Sequence, residues 1–503
     1  MLVEMRQLIG AGRAYAIAAI AAGLLTSGAC AAKTASPPAA TPAAPAPSTA
    51  TPPPYPVVTP VAERPVALPS SAGTISEQSI RAHLEFLASD ALNGRGSGTR
   101  DEWLAATYIA SQFRQWGLEP MGDGDGYVQT IEMSTGWAAS APVLTVGNLE
   151  LTHGREMLVA AMASAKATGR LWKYTPGAAV PDRAVVLLRP GERPALTGAV
   201  CLLAPETPEQ RAQWSARGAT MPSIAARPTK LLEQPTGRTS LIYVDTATHA
   251  ALTALPDGTE ASLVANIRMT TTGSTWNAVG RLTGSEPTPA RDVIVLSAHL
   301  DHLGARAPVP GTDTIYNGAD DDASGMVAVM MLAEALAKGL RPKRTLVFAL
   351  FGSEERGGFG AGYFVDLPVV PLNQIVADLQ FEMLARPDPM VPPRTLWLTG
   401  YPLSNLGAEL ARQGARLVAD PHLSENFFMR SDNIRFARRG VVAHTVSSYG
   451  LHKDYHQPSD EIRLVDFAHM TDAIQSLLEP VRWLANSTFK PAWAPNACPA
   501  PCR

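Results

Sequence analysis

Val293-Ile294-Val295-Leu296 runs directly into Ser297-Ala298-His299-Leu300-Asp301-His302, and this stretch decides the fold. Four consecutive branched aliphatic residues read as a strand buried on both faces, because a strand with one wet face would alternate. Chemistry-bearing side chains begin where the apolar run stops. Downstream, Asn317-Gly318-Ala319-Asp320-Asp321-Asp322-Ala323-Ser324-Gly325 opens a long apolar helix over Ser324–Ala337. A second buried strand, Thr345–Phe351, ends in Gly352-Ser353-Glu354-Glu355. A third, near Ile375–Leu379, leads into Gln380-Phe381-Glu382-Met383. Shorter strands are expected near Thr395–Leu398 and Val441–Val446, then Asp454-Tyr455-His456-Gln457-Pro458-Ser459-Asp460-Glu461, with a closing helix over Phe467–Leu484. Apolar strands alternating with helices predict an α/β fold, a three-layer sandwich with a mostly parallel central sheet. In such sheets the site gathers beyond the carboxyl ends of the strands.

Those ends deliver His, Asp, Glu-Glu, Glu and His to one edge. Taken singly, a strand-end carboxylate is more often a helix N-cap or a solvated charge, and His299 with His302 reads as a satisfied surface pair. Jointly, converging carboxylates would repel unless a cation held them. Imidazole nitrogen with carboxylate oxygen suits zinc, with manganese or cobalt as substitutes. Five candidate ligands suggest two metals sharing one carboxylate, roughly 3.5–4 Å apart in such sites.

Outward from this core, the 503 residues are 46% hydrophobic and 17% charged, enough for a large core and two or three folded units. Lys+Arg total 42 against Asp+Glu 45, a net charge of −3, so composition offers no electrostatic reason to expect nucleic acid or an anionic membrane as partner. At the N-terminus, Arg6 and Arg13 precede the apolar run Ala16–Leu25 and then Ser27-Gly28-Ala29-Cys30. That order reads as a secretory signal over residues 1–30. In one reading Cys30 becomes a lipidated first residue, the one route to a membrane; in the other, cleavage follows Ala31 and the protein is secreted. Either way the protein is exported, as a periplasmic or outer-membrane lipoprotein or a secreted enzyme. Residues 31–70, rich in Pro and Ala, form a tether. Residues 71–128 open the folded part with two amphipathic helices. Short β-branched runs between Pro/Gly turns make 129–272 a separate β-rich insert. Residues 273–490 hold the main domain, and 491–503 a tail in which Cys498 and Cys502 are close enough for a small disulfide loop. Cys201 reads as a buried thiol. His83, His153, His249 and His469 read as structural. His452 has a pocket-lining alternative, and Ser431-Asp432 reads as an N-cap or a substrate-side pair.

Ala298-His299-Leu300-Asp301-His302-Leu303-Gly304, the stretch Gly318–Gly325, Glu354-Glu355, Phe381-Glu382-Met383 and Tyr455-His456 together resemble the dizinc aminopeptidases, metallopeptidase family 28. The opening from Leu84 to Asp90, then Gly94-Arg95 and Gly117-Leu118, matches too. The resemblance implies a zinc exopeptidase fold, with the insert in the place of a protease-associated lid. It implies two Zn2+, with His299 and Glu382 on the first metal, Glu355 and His456 on the second, and Asp321 bridging. Asp301 would fix the tautomer of His299, Glu354 would be the general base, and Tyr455 would donate to the oxyanion. Glu382 stands where Asp is frequent, and Asp322 where Asn is common; neither removes a ligand. The implied reaction is removal of N-terminal residues from peptides with a free amine. The alternatives are glutaminyl cyclisation with one zinc, or carboxypeptidase or dipeptidase action with the same metals. No side chain in the sequence identifies the anchor for a substrate amine or carboxylate.

Overall fold

The buried strands expected from the sequence lie side by side at the centre of one ten-stranded sheet. Val293–His299 sits between Thr345–Phe351 and Ile375–Phe381, and Ala443–Ser447 follows the latter, all parallel. This computed structural model describes residues 74–499 apart from 193, 195–197, 232–238 and 288–290. The signal segment with Cys30, the 31–70 tether and Cys502 lie outside the described residues. Cys498 is disulfide-bonded, and Cys201 is a buried free thiol.

Alternation along the strands explains the three layers. Ile294, Leu296, Phe348 and Leu379 point to a layer built by Glu77–Leu87, Gly325–Lys338 and Phe467–Asn486. Val293, Val295, Val347 and Ala443 point the other way, onto Phe364 of Phe359–Asp366 and Phe436 of Asn433–Ala437. Both faces are covered, so the strands are apolar throughout. Each such side chain contributes about 1.5–3 kcal/mol by leaving water. Gly325–Lys338 is apolar almost all round because it is held between the sheet and the outer helices.

Antiparallel strands extend the sheet on one flank. Val128–Ala138 and Ile267–Leu282 pair from Ala278↔Val128 out to Ile267↔Ala138, with a bulge between Thr271 and Gly273. These two strands run through the 129 and 272 limits expected for the insert, so the insert grows out of the main sheet rather than starting at a linker. Ser223–Pro228 returns from it to pair with Val128–Ala138. Beyond them an eight-stranded sheet carries its own core of Leu144, Leu171, Val185, Ile242 and Leu263. Two short helices, Pro208–Ala216 and Thr246–Ala254, belong to it; their apolar periodicity is weak and sequence reading passes over them.

Asp378, in the Ile375–Phe381 strand, is fully buried. Its Oδ1 accepts from Ser297 Oγ at 2.8 Å, and its Oδ2 has no partner among the described residues. Burial, opposed by the Ser297 bond and reinforced by the charge of Asp432, pushes this carboxyl up to about 8. The folded chain therefore keeps a proton that the unfolded chain releases near pH ~4. That contribution to stability is complete below the unfolded value and is lost as pH rises toward 8. Asp378→Asn is expected to flatten the fall of unfolding free energy between pH 5 and 8, by up to about 1.4 kcal/mol per pH unit. Urea titrations across that range check it, and equal slopes in the two proteins would refute it.

Candidate metal centre

Three parallel strands end at the same edge, and the polar residues at their ends gather around one centre. His299 closes its strand; Glu354 and Glu355 follow Ser353, whose φ is 55°; Glu382 precedes Met383, with φ 56°. These left-handed turns redirect the chain abruptly, so neighbouring side chains face the same space. Asp321 enters from the loop after Gly318, and His456, with φ 55°, from the loop before the closing helix. At Gly318 only glycine fits: φ is +58°, and a Cβ would lie 2.1 Å from the carbonyl of Asp321.

Asp321 is the centre of the arrangement. Its Oδ1 lies 3.1 Å from Nε2 of His299, and its Oδ2 lies 3.2 Å from Nε2 of His456. His456 Nε2 is also 3.3 Å from Glu355 Oε1. Two donor sets share Asp321: His299 with Glu382, and His302 with Glu355, the donor atoms of each set lying within 4.8 Å of one another. His302 belongs to the sequence motif, but sequence reading gave it no role as a ligand. It is buried, with Nδ1 2.9 Å from Glu355 Oε1 and 3.8 Å from Asp321 Oδ2. The backbone explains this: the His302 amide donates to the Arg95 carbonyl, pulling the chain inward after the strand. Its position three residues after His299 was the available signal.

Asp301 corrects the sequence expectation. The Nδ1 of His299 is 3.1 Å from the main-chain oxygen of Asp301 and 3.8 Å from its carboxylate. The carboxylate instead accepts from the amides of Glu354, at 2.8 Å, and Glu355, at 3.3 Å, and from the Ser97 hydroxyl. Two amides presented by the tight Ser353 turn draw it away from the ring. Asp301 thus orients His299 through its backbone and holds the Glu354-Glu355 turn through its side chain. Glu102, fully buried, supports the same turn by accepting from the Ser353 amide at 2.9 Å.

The three consecutive aspartates divide their work. Asp320 accepts from the Ala385 amide at 2.8 Å and faces His452 Nε2 at 2.8 Å. Asp322 accepts from the amides of His299, Gly325 and Met383, tying the first and third strand ends together. Asp460 accepts from the amides of Asp320 and Asp321. Only Asp321 is left for the cavity. His452 therefore serves Asp320 and is not a cavity wall. Ser431 does line the cavity and accepts from Gln380, while Asp432 makes no side-chain cap. The other histidines have ordinary partners, such as Tyr108 for His83 and Ser448 for His469.

Electrostatics identify what the centre suits. Burial alone would lower His299, but its bond to Asp321 and the charges of Asp322 and Glu354 push it well up. His456 rises to about 10, against burial, through its bonds to Asp321 and Glu355. Glu354 is raised by burial and by the charges of Asp432, Glu382 and Glu355, which outweigh the opposing charge of His299. Tyr455 is raised by burial and by Asp321, Glu382 and Glu355, so its phenol keeps the proton. Four acids, Asp321, Glu354, Glu355 and Glu382, line one cavity with His456. Such crowding calls for a cation, and imidazole and carboxylate donors in sets of three fit zinc. A larger cavity of about 920 Å³ lies over the insert sheet beside Arg170 and Trp172 and shares none of these residues.

Residues 277–479 match the model of Peptidase family M28, and that stretch holds all the candidate ligands with Glu354 and Tyr455. Leupeptin-inactivating enzyme 1 of Streptomyces exfoliatus is 32% identical over 123 residues, 24% of this chain and 25% of that protein. Carboxypeptidase Q of Rattus norvegicus is 33% identical over 92 residues, 18% of this chain and 17% of that protein. The chain thus matches a quarter or less of the length of these curated relatives. Among solved structures, BSAP, a zinc aminopeptidase from Bacillus subtilis, aligns over 84% of this chain and 97% of its own at 17% identity, with a TM-score of 0.45.

Proposed function

We propose, from the match of residues 277–479 to the model of Peptidase family M28, that this protein is a zinc metallo-exopeptidase acting on the N-terminal residues of peptides. One observation carries the reading: Asp321 turns its two oxygens toward two histidines, His299 and His456, and belongs to both donor sets. His299, Asp321 and Glu382 would hold one zinc. Asp321, Glu355 and His456 would hold a second, with His302 beside them. When bound, zinc supplies Lewis acidity and lowers the pKa of water. Glu354, in neither donor set and with its proton affinity raised, takes the proton of the attacking water and passes it to the leaving nitrogen. Tyr455 keeps its O–H and donates it to the oxyanion that forms at the scissile carbonyl. Trp397, Phe427 and Tyr449 wall the cavity and suit an apolar side chain. The export reading rests on residues 1–31.

The test joins metal content to specificity. Zinc per chain is measured on purified protein, which is assayed on amino-acid p-nitroanilides, N-blocked controls and an N-terminal glutaminyl peptide. The expected result is about two zinc per chain, as in two-metal sites, with turnover of unblocked substrates only. Chelation should abolish activity and zinc should restore it. One zinc with cyclisation would move the assignment to a glutaminyl cyclase. Absence of both bound metal and turnover would sink the enzyme reading.

A further inference from the structure

One cation stands among the acids and aromatics of the active-site cavity. Among the described residues, Arg430 is the one lysine or arginine that lines it. Its guanidinium lies 4.9 Å from the centre of the Phe427 ring, which stacks on Trp397. Tyr449 and Tyr455 line the same cavity as Arg430. Arg430 therefore faces the same space as the proposed oxyanion donor. Its ion pair with Glu425, at 3.6 Å, is between groups 44% and 41% exposed. A pair that long and that wet is worth at most about 1 kcal/mol, so the guanidinium is readily given up to a better partner. The cation–π contact with Phe427 favours this position of the fork while leaving N–H donors for a planar anion.

We propose that Arg430 is a specificity-determining residue that receives a carboxylate of the substrate, so that the preferred substrates are short peptides carrying that anion within reach of the scissile bond. The inference rests on the exopeptidase reading and narrows its substrate class. Two carboxylates meet the requirement: the C-terminal one of a dipeptide, and an acidic side chain. The four cavity acids would repel either one, and Arg430 is the countercharge that admits it.

The test uses the zinc-loaded enzyme and its Arg430→Ala and Arg430→Lys variants. Substrates are a leucyl dipeptide, the same dipeptide as its C-terminal amide, and leucyl amides with glutamate or glutamine next in sequence. In Arg430→Ala the ratio of kcat/KM for the acid over its neutral twin is expected to fall about tenfold or more, the worth of a charge-assisted hydrogen bond, mainly through KM. Arg430→Lys should recover part of it, since a point charge replaces a fork. A fall confined to the dipeptide pair assigns the C-terminal carboxylate; a fall confined to the glutamate pair assigns the side chain. An unchanged ratio for both pairs overturns the inference and leaves the exopeptidase reading standing. If the wild type turns over none of these substrates, that reading fails. Calorimetric binding of the dipeptide and its amide to wild type and Arg430→Ala then decides the anchor alone: selective loss of the acid supports it, equal binding overturns it.

Discussion

Glu354→Gln is expected to lose about 10²–10⁴-fold in kcat while keeping its full complement of zinc. The substitution is nearly isosteric, and Glu354 belongs to neither donor set, so the ligands remain in place. Its amide still donates to Asp301, so the turn that carries Glu355 survives. What disappears is the proton acceptor, whose affinity for a proton is raised by burial and by neighbouring acids. Glu355→Gln is the contrasting control: it weakens a donor set and should lose metal along with activity. The check is zinc content beside kcat for both variants. A Glu354→Gln enzyme that keeps more than a tenth of wild-type kcat would remove Glu354 from the proton-transfer role. Loss of zinc from it would make it a ligand instead.

Arg95→Met should cost about 3–5 kcal/mol of unfolding free energy, the penalty for breaking a buried charged network from one side. Arg95 is fully buried, and its guanidinium donates to four backbone carbonyls: Leu87, Leu300, Asn317 and Gly318. Those carbonyls belong to the end of the first helix, the loop after His299 and the loop that carries Asp321. One side chain therefore fastens together the segments that shape the metal centre. Burial pushes Arg95 down to about 10, yet it stays charged at neutral pH and faces Asp322, Asp321, Asp460 and Asp301. Methionine fills much of the space and supplies neither donors nor charge. The residue before it is as constrained: at Gly94, φ +69°, a Cβ would lie 2.2 Å from the Tyr316 carbonyl. Denaturant midpoints of the two proteins, with and without zinc, check the prediction. A change under about 1 kcal/mol would reduce Arg95 to an ordinary polar contact.

The parallel centre of the sheet and the identity of the acids, histidines and tyrosine proposed for the metal centre were legible in the sequence, because both are local signals. A strand covered on both faces must be apolar along its length, and polar residues that follow such a run must lie at its end. Val293 to His299 and Thr345 to Glu355 obey that rule without knowledge of any partner. The family pattern then attached roles to the same positions. Where side chains point beyond the strand end is a different matter. It depends on left-handed turns at Ser353, Met383 and His456, none of which is a glycine that would announce one. It depends also on long-range donors. Arg95 meets carbonyls more than 200 residues away, Asp301 gives its carboxylate to the Glu354 amide, and His302 is drawn inward by the Arg95 carbonyl. The insert shows the same division: its β character lay in its composition, while its continuity with the main sheet arose from pairing Val128–Ala138 with Ile267–Leu282. Sequence by itself determined which residues are apolar enough to form the sandwich and which polar types reach its edge. Tertiary structure alone decided what each edge residue touches, because hydrogen-bond donors compete for carboxylates across distant segments, and only the folded chain brings the competitors together.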